Sequence, residues 1–365
     1  MRRIGVLIPV LITLSGPAPA QQNPPAANGI HTDYGPNSTI GLIAGGSGST
    51  DARIAADIAE VLDDGERLRV LPILGKGSEQ NIADLIYMKG IDVAIVRSDV
   101  LTETMQRGTI PRENTVQYIA KLFPEEIHVL ARKEIVKIGD LKGKVVSIGP
   151  IGSGTELTAS TLLDLLHVTP NIMHDTQSVA LDRLRRGDIA AMFVIGGKPV
   201  PILQEIEPGT GLHFLPIPLN PQIVSTYLPT SLDHERYPNL VPPGPPIDTV
   251  AVSSVLLTLS TPADTARAKR VNRFVDTLFE RFDQFHQLGF HPKWQEVNLS
   301  AQVQGWARYP EAQSLLNKNQ PDTNLRTSFD TYLHQSGQTQ SDMSNDRREA
   351  LFRDFLRWRN QHTGP

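Results

Sequence analysis

The chain has 365 residues, of which 39% are hydrophobic and 20% are charged, and its formal net charge is −4. This length is enough for two domains, and the composition is typical of a globular protein that folds around a buried core. Because there is no basic excess, nucleic acids and anionic membrane surfaces are not expected partners. The sequence contains no cysteine. Without disulfides, the stability of the fold must come from its core. A lipid anchor on an N-terminal cysteine is also excluded.

The N-terminal region has the pattern of a secretory signal peptide. Two arginines near the start precede an apolar stretch at 4–14, and small residues then form a cleavage site between Ala20 and Gln21. The stretch is too short to span a bilayer comfortably; a retained anchoring segment is the alternative. We therefore expect 1–20 to be removed and the mature protein to be soluble and periplasmic. A polar leader at 21–38 is expected to be flexible.

Beyond the leader, strand-like and helix-like segments alternate. Short buried strands are predicted at 40–44, 68–74 and 92–96, and apolar residues repeat at helical spacing between them. This βαβαβ order predicts a parallel sheet whose functional loops lie at the carboxyl ends of the strands. Two further strand-like runs follow at 119–123 and 127–131.

A second α/β segment begins at Val145, after a connection expected at 138–144. It contains a strand, a Gly-Ser turn and a helix, and a later strand that ends at Ile195. The proline-rich stretch at 241–248 is stiff and extended, which suits a linker or hinge. The β-branched run at 249–259 then predicts a strand that returns to the first sheet.

These segments predict an α/β fold with two lobes and a C-terminal helical extension. Amphipathic helices are predicted where apolar residues repeat on one face, at 266–285 and 346–358, and 311–340 is mostly polar. The expected boundaries are lobe 1 at 39–135 plus 249–290, lobe 2 at 136–240, a hinge at 241–248 and an extension at 291–365.

A Gly-Ser pattern occurs at corresponding places in both lobes, at 45–50 and at 152–155. Each copy follows a strand-like run and precedes a helix-like run, so it aims backbone N–H groups and the positive end of a helix dipole at one point. One such turn can hold an anionic group, and two turns in separate lobes can close on a small anion from both sides. The alternative is two ordinary strand-to-helix turns, since glycine-rich turns are common there.

Polar residues at strand ends are the candidate ligand-binding residues, because parallel strands bring their carboxyl ends together. Arg97 is the sharpest candidate, since a guanidinium grips a carboxylate through two parallel hydrogen bonds; the alternative is a surface ion pair with Asp99 or Asp51. Asp51 is equally compatible with capping of the following helix, and Lys76 with a solvated turn. The candidates are Gly46, Ser47, Ser49, Asp51, Lys76, Ser78, Arg97, Ser98, Asp99, Ser153, Gly154, Thr155, Gly197 and Lys198.

Motifs for catalysis are not found in the sequence. The segment 45–49 ends in Ser and so fails the G-x-S-x-G pattern, 139–145 has the wrong spacing for a P-loop, and there is no full G-x-G-x-x-G. His286 and His291 are five residues apart and do not share a helical face, as a metal site would need. We therefore expect no enzymatic activity, no cofactor and no metal.

Several motifs occur in one order between about residues 40 and 310, among them LGKGSEQNIADL and FVIGGKP. They lie at 74–85, 92–100, 131–133, 140–149, 152–156, 193–199 and 294–298. Together they resemble the TAXI family, the TRAP-associated extracytoplasmic solute-binding proteins. The resemblance implies a type II periplasmic-binding fold, with two α/β lobes joined by hinge strands and the solute between them. It also implies delivery of a small carboxylate or amino acid to a TRAP membrane permease that is driven by an ion gradient rather than by ATP.

Two positions depart from the family pattern. The family usually has Gln where this chain has Arg97, and an aromatic residue, often Tyr, near the position of Asp51. We therefore hypothesise that Arg97 and Asp51 hold the carboxylate and the ammonium group of a zwitterion. The alternative is that the two side chains neutralise each other and that the site binds another solute or none.

We expect a monomer that closes around its ligand by motion near 131–136 and 241–248. One alternative function is an orphan receptor that binds solute but reports to a membrane signalling partner. Another is an exported enzyme on the same fold, which would need a nucleophile–base pair or a metal cluster.

Overall fold

A computed structural model of the chain describes residues 38–108 and 115–319. The predicted signal peptide, the leader up to residue 37 and the predicted helix at 346–358 lie outside the described residues.

The first part of the described chain alternates strands and helices, as predicted. The strand β1 lies between β2 and β3 and pairs with both in parallel, so the carboxyl ends of the three strands meet at one edge of the sheet. The turns at this edge lead directly into helices. The elements are β1 (Thr39–Ala44), α1 (Thr50–Leu62), β2 (Arg69–Leu74), α2 (Ser78–Tyr87), β3 (Val93–Arg97) and α3 (Ser98–Gln106).

The next strand, β4 (Val116–Arg132), is one continuous strand of 17 residues. The prediction of two separate runs at 119–123 and 127–131 is therefore wrong. The sequence Pro124-Glu125-Glu126 looked like an interruption, but both glutamates are buried and each receives hydrogen bonds from a buried cationic side chain. Such pairing allows charged residues to lie inside a buried strand.

A second set of parallel strands follows a 3₁₀ turn at Ile138–Leu141. In this set the first strand lies between the second and third, so their carboxyl ends also share an edge. The second strand of the set was not predicted from the sequence. The elements are β5 (Val145–Ser147), α4 (Gly154–Leu165), β6 (Asn171–Met173), α5 (Gln177–Arg186), β7 (Ala191–Gly196), α6 (Pro201–Gln204), β8 (Leu212–Phe214), α7 (Pro221–Thr226), β9 (Leu228–Leu232) and β10 (Ile247–Leu259).

The described strands form one ten-stranded sheet in the order β2-β1-β3-β10-β4-β7-β5-β6, with β8 beside β4 and β9 beside β10. One end of β10 pairs with β3, and its other end pairs with β9. The far end of β4 pairs with β7 and β8. Two long strands thus join a first half (β1 to β3, α1 to α3) to a second half (β5 to β9, α4 to α7). This is the α/β architecture of the type II periplasmic-binding fold, as expected.

Apolar side chains pack on both faces of each half. In the first half, Ile54 and Ile58 of α1 are completely buried on one face, and Ile82 of α2 is buried on the other. In the second half, Leu162 of α4 and Leu203 of α6 occupy separate clusters in the same way. Helices therefore cover both faces of the sheet and leave its strand-end loops accessible.

The C-terminal part of the described chain packs against the first half. Helix α8 (Ala266–Glu280) is followed by 3₁₀ helices at Phe282–His286 and Pro292–Glu296, so the helix predicted at 266–285 ends earlier as an α-helix. A further helix, α9 (Pro310–Asn319), begins the stretch that the sequence marks as polar. Within the described residues, none of the helices combines the length and the apolar character needed to cross a membrane.

Candidate functional site

A cavity of about 640 Å³ lies where the strand ends of the two halves face each other. The first half contributes the turns after β1 and β2 and the end of β3. The second half contributes the turn after β5, the start of α5, the end of β7 and helix α6. The sequence-predicted residues that line it are Gly46, Ser47, Ser49, Asp51, Lys76, Ser78, Arg97, Ser153, Gly154 and Thr155.

The two Gly-Ser turns line this same cavity from opposite halves. In each, the serine before the helix accepts a hydrogen bond from a first-turn amide: Ser49 Oγ from Ala52 N at 3.1 Å, and Ser153 Oγ from Glu156 N at 3.2 Å. Ser49 is therefore the N-cap of α1, and the capping role considered for Asp51 is wrong. The repeated sequence pattern corresponds to a repeated local structure.

Helices α2 and α5 also begin at the cavity. In the described structure, neither Gly77, the N-cap of α2, nor Thr176, the N-cap of α5, supplies a side-chain capping bond. Their first-turn N–H groups therefore lack the partner that a capping side chain provides, and each helix directs the positive end of its dipole to the cavity. With α1 and α4, helix N-termini face the cavity from both halves.

Arg97 lies at the inner end of the cavity and is only 7% exposed. Its Nε and Nη2 atoms donate to Glu125 Oε2 at 2.9 and 2.7 Å, and Nη2 also donates to the backbone oxygen of Ile195 at 3.0 Å. The third nitrogen, Nη1, lies next to Gly154, where a Cβ atom would collide with it. The ion-pair partner is thus Glu125, and neither Asp99 nor Asp51 forms a direct ion pair with Arg97 in the described structure.

Three carboxyl groups surround this one guanidinium. Burial raises the pKa of Asp51, Asp99 and Glu125, although the charge of Arg97 opposes the shift in each case. For Glu125 the pKa rises to about 8. One of its oxygens, Oε1, is buried without a hydrogen-bond partner among the described residues. The group therefore holds more potential negative charge than Arg97 alone can balance.

Asp51 faces the cavity and is 5% exposed. Its Oδ1 atom accepts a hydrogen bond from Ser254 Oγ of β10 at 3.2 Å. Four lone pairs on a carboxylate leave room for a further donor from the cavity. Lys76 and Glu205 lie at the exposed margin of the same cavity.

Four predicted residues lie outside this cavity as far as the chain is described. Ser98 and Asp99 line a neighbouring cavity of about 750 Å³, and Asp99 Oδ2 accepts from Thr158 Oγ1 of α4 at 2.6 Å, which links the two halves. Lys198 turns to Glu126 and to the backbone of Ser231. Gly197 packs against Lys293 and Thr50 rather than against the cavity.

Other lining residues were missed by sequence reasoning. Thr176 to Ser178 follow β6, a strand with too few apolar residues to be predicted from the sequence. Helix α6 has a single turn, so its apolar residues show no helical periodicity. A Ser/Thr immediately before a helical run was the available signal for Thr176. Gly45 and Gly48 also line the cavity and belong to the predicted turn at 45–50. The lining residues that were missed are Gly77, Pro150, Thr176, Gln177, Ser178, Ile195, Pro201, Ile202 and Glu205.

Within residues 38–108 and 115–319, no His, Asp and Glu side chains form a group of three suited to a metal ion. The groups that line the cavity can hold a small polar molecule. Backbone N–H groups would bind its anionic part, and Asp51 would bind a hydrogen-bond donor.

The chain belongs to the NMT1-like family, whose model matches residues 42–308. This span contains every cavity-lining residue. The family match and the two-half topology together identify the described chain as a ligand-binding domain of the periplasmic-binding-protein type.

Solved structures with a similar fold include other ligand-binding proteins. The periplasmic binding protein BugD is 15% identical over 78% of this chain and 95% of that chain, with a TM-score of 0.45. An ancestral arginine-binding protein bound to arginine is 13% identical over 68% and 96%, with a TM-score of 0.41. The effector-binding domain of QuiR in complex with shikimate is 12% identical over 65% and 94%, with a TM-score of 0.39.

Proposed function

We propose that this member of the NMT1-like family is an extracytoplasmic receptor of the TAXI type. It captures a small organic acid or amino acid between its two halves and delivers the solute to a TRAP-type membrane permease. The observation that carries this function is the shared cavity of about 640 Å³, which helix N-termini of both halves face. A small anion there gains hydrogen bonds from both halves at once and so favours their contact.

The anionic end of the solute binds at the helix N-termini. The first-turn amides of α2 and α5 supply donors that need no side chain, and Lys76 adds a positive charge at the cavity margin. Arg97 contributes less than the sequence hypothesis assigned to it, because Glu125 and Ile195 already occupy its Nε and Nη2 atoms. Its role toward ligand is confined to Nη1 and to the local positive potential.

The cationic end of an amino acid solute binds Asp51. This carboxyl group is buried, faces the cavity and receives one protein hydrogen bond, from Ser254. A ligand ammonium group would supply the charge that a buried carboxylate needs. The zwitterion hypothesis therefore keeps Asp51 and moves the carboxylate from Arg97 to the backbone amides.

Export by the predicted signal peptide brings the mature chain to the periplasm as a monomer, and the two halves correspond to lobes 1 and 2. The role is capture and delivery, with no chemical change to the solute.

Isothermal titration calorimetry with matched solute pairs tests the ligand assignment. Each amino acid is compared with the acid that lacks only its amino group, such as L-glutamate with glutarate and L-alanine with propionate. We expect at least one amino acid to bind, and to bind more tightly than its partner. Asp51→Asn should remove this preference, since loss of a buried charge contact costs about 2–5 kcal/mol. Glu205→Gln, at the exposed margin, should leave the preference intact.

The possible outcomes separate the two parts of the ligand assignment. If no acid or amino acid binds the folded protein, the receptor function for this solute class is wrong. If the deaminated acids bind as well as the amino acids, only the role of Asp51 is wrong. Delivery is tested with proteoliposomes that contain a TRAP permease from the same genome, in which uptake of the bound solute must depend on added receptor.

A further inference from the structure

Two consecutive glutamates lie where β4 passes from the first half to the second. Glu125 and Glu126 are each 1% exposed. Successive side chains of a strand point to opposite faces of the sheet. Glu125 lies on the face toward Arg97, which lines the cavity and gives this face the name cavity face, and Glu126 lies on the opposite face. Each is bound by a cationic side chain from outside β4 that also contacts the second half.

On the cavity face, the cation is Arg97 at the end of β3. Its Nη2 atom lies 2.7 Å from Glu125 Oε2 and 3.0 Å from the backbone oxygen of Ile195 on β7. One guanidinium therefore connects the first half, the crossing strand and the second half.

On the opposite face, the cation is Lys293, whose side chain is completely buried. Its Nζ atom donates to Glu126 Oε1 at 2.7 Å and to Glu296 Oε2 at 2.8 Å. Its methylene groups pack on Gly197, where a Cβ atom would lie 2.7 Å from Lys293 Cγ. Glu126 Oε2 also accepts from the backbone N of Lys198, in the second half, at 2.8 Å.

The segment that carries Lys293 is fixed to the first half. The neighbouring Trp294 donates from Nε1 to Asp57 Oδ2 of α1 at 2.9 Å and stacks on Phe285 at 4.0 Å between ring centroids. His291 N donates to the same Asp57 oxygen at 2.9 Å. Lys293 therefore extends from a segment anchored on the first half to the crossing strand and the second half.

We propose that Arg97–Glu125 and Lys293–Glu126 form a clamp on the two faces of the crossing strand, which holds the two halves in contact. Lys293 is thereby a positioning residue for ligand binding, although it lies outside the cavity. The clamp places the bending point of β4 at 124–126, directly after a register shift between 121 and 124 in its pairing with β10, rather than at the 131–136 expected from the sequence. Separation of the halves must pull Gly197 from Lys293 and Ile195 from Arg97, and each cation then loses contacts in a buried site.

Double electron–electron resonance on the ligand-free protein tests the clamp directly. The chain has no cysteine, so Lys89→Cys in the first half and Asp182→Cys in the second place a spin label at one exposed position of each. We expect one dominant distance in the otherwise unchanged protein. Lys293→Met should raise the ratio of longer to shorter distances by about tenfold or more, as expected when a charge-assisted hydrogen bond is lost.

Matched variants separate the clamp from a general loss of stability. Glu296→Gln removes the half-exposed partner of Lys293 but keeps Glu126, and it should leave the distances unchanged. The double variant Lys293→Met, Glu126→Gln removes both charges of the buried pair, so neither is left without its partner. It therefore tests the same contact if the single variant does not fold. Glu125→Met, which removes both acceptor oxygens from Arg97, tests the cavity face independently.

The outcome that overturns the clamp is an unchanged distance distribution in folded Lys293→Met and Glu125→Met variants. Longer distances in both, with Glu296→Gln unchanged, support it. Because the measurement uses no ligand, it distinguishes failure of the clamp from failure of the receptor function.

Discussion

Gly77 lies beside the cavity at a place where the backbones of the two halves approach each other closely. It precedes α2 with a φ of +151°, a conformation that L side chains rarely adopt. A Cβ atom built on it would lie 2.8 Å from Gly154 N and 2.9 Å from Ser153 Cα, both in the backbone at the start of α4. Gly77→Ala therefore places a methyl group between the turn before α2 in the first half and the turn before α4 in the second, which line the cavity from opposite sides.

The size of the effect follows from these distances. Ordinary van der Waals contact begins at 3.4 Å, so the methyl group needs about 0.6 Å more than the gap to Gly154 N provides. Backbone atoms cannot rotate away, so the walls must separate. We expect ligand affinity to fall by at least about tenfold, or roughly 1.4 kcal/mol. Backbone strain of about 1–3 kcal/mol should lower stability in addition.

Gly48→Ala is the matched control for the strain. Gly48 lines the same cavity with a φ of +78°, but no atom lies within 4 Å of its added Cβ. It should lose stability and keep most of its affinity. Calorimetry with the tightest-binding solute of the panel, together with thermal unfolding, measures both effects. If Gly77→Ala binds as tightly as the unchanged protein, contact between these walls is not part of ligand binding.

Two further predictions concern stability. The pKa of Glu125 rises from 4.5 to about 8 on folding, so the folded state keeps a proton that the unfolded state releases, and the free energy of unfolding falls as the pH rises from about 4.5 to 8. Urea unfolding at several pH values should show a flatter dependence for Glu125→Gln. An unchanged dependence would contradict the pKa shift. Trp294→Ala should lower the free energy of unfolding by about 3–5 kcal/mol in the same assay, because Trp294 is completely buried. Trp306→Ala, at a half-buried site, should lower it much less. Equal losses of stability would mean that Trp294 does not anchor its segment.

Local features of the fold and the site were predictable from the sequence. The βαβαβ order follows from the period of the apolar residues, and the two Gly-Ser turns follow from residue types that favour turns and N-caps. Their meeting at one cavity follows from a general property of parallel strands. In each case the information lies within a few residues of chain.

The charged contacts were not predictable, because their partners are distant in sequence. Glu125 is 28 positions from Arg97, and Lys293 is 167 positions from Glu126. The charged pair also interrupts the apolar pattern of β4, so the crossing strand looked like two strands. A buried carboxylate in a strand is favoured only when its cation is present, and the sequence pattern does not show which cation that is.

The charge inventory at the inner end of the cavity bears on the ligand. The sequence posed two alternatives, in which Arg97 and Asp51 either grip a zwitterion or neutralise each other. In the structure, Arg97 is bound by Glu125, so it is not the direct counter-charge of Asp51. Asp51 then has two ways to remain buried: it keeps a proton, as the upward shift of its pKa indicates, or it binds a cation from the cavity. An ammonium group can take the place of that proton, whereas a dicarboxylate without an amine is tolerated only while Asp51 keeps its proton. The position of Glu125 is therefore an argument for the amino acid solute that we propose, because it leaves Asp51 to be neutralised by a proton or by the ligand.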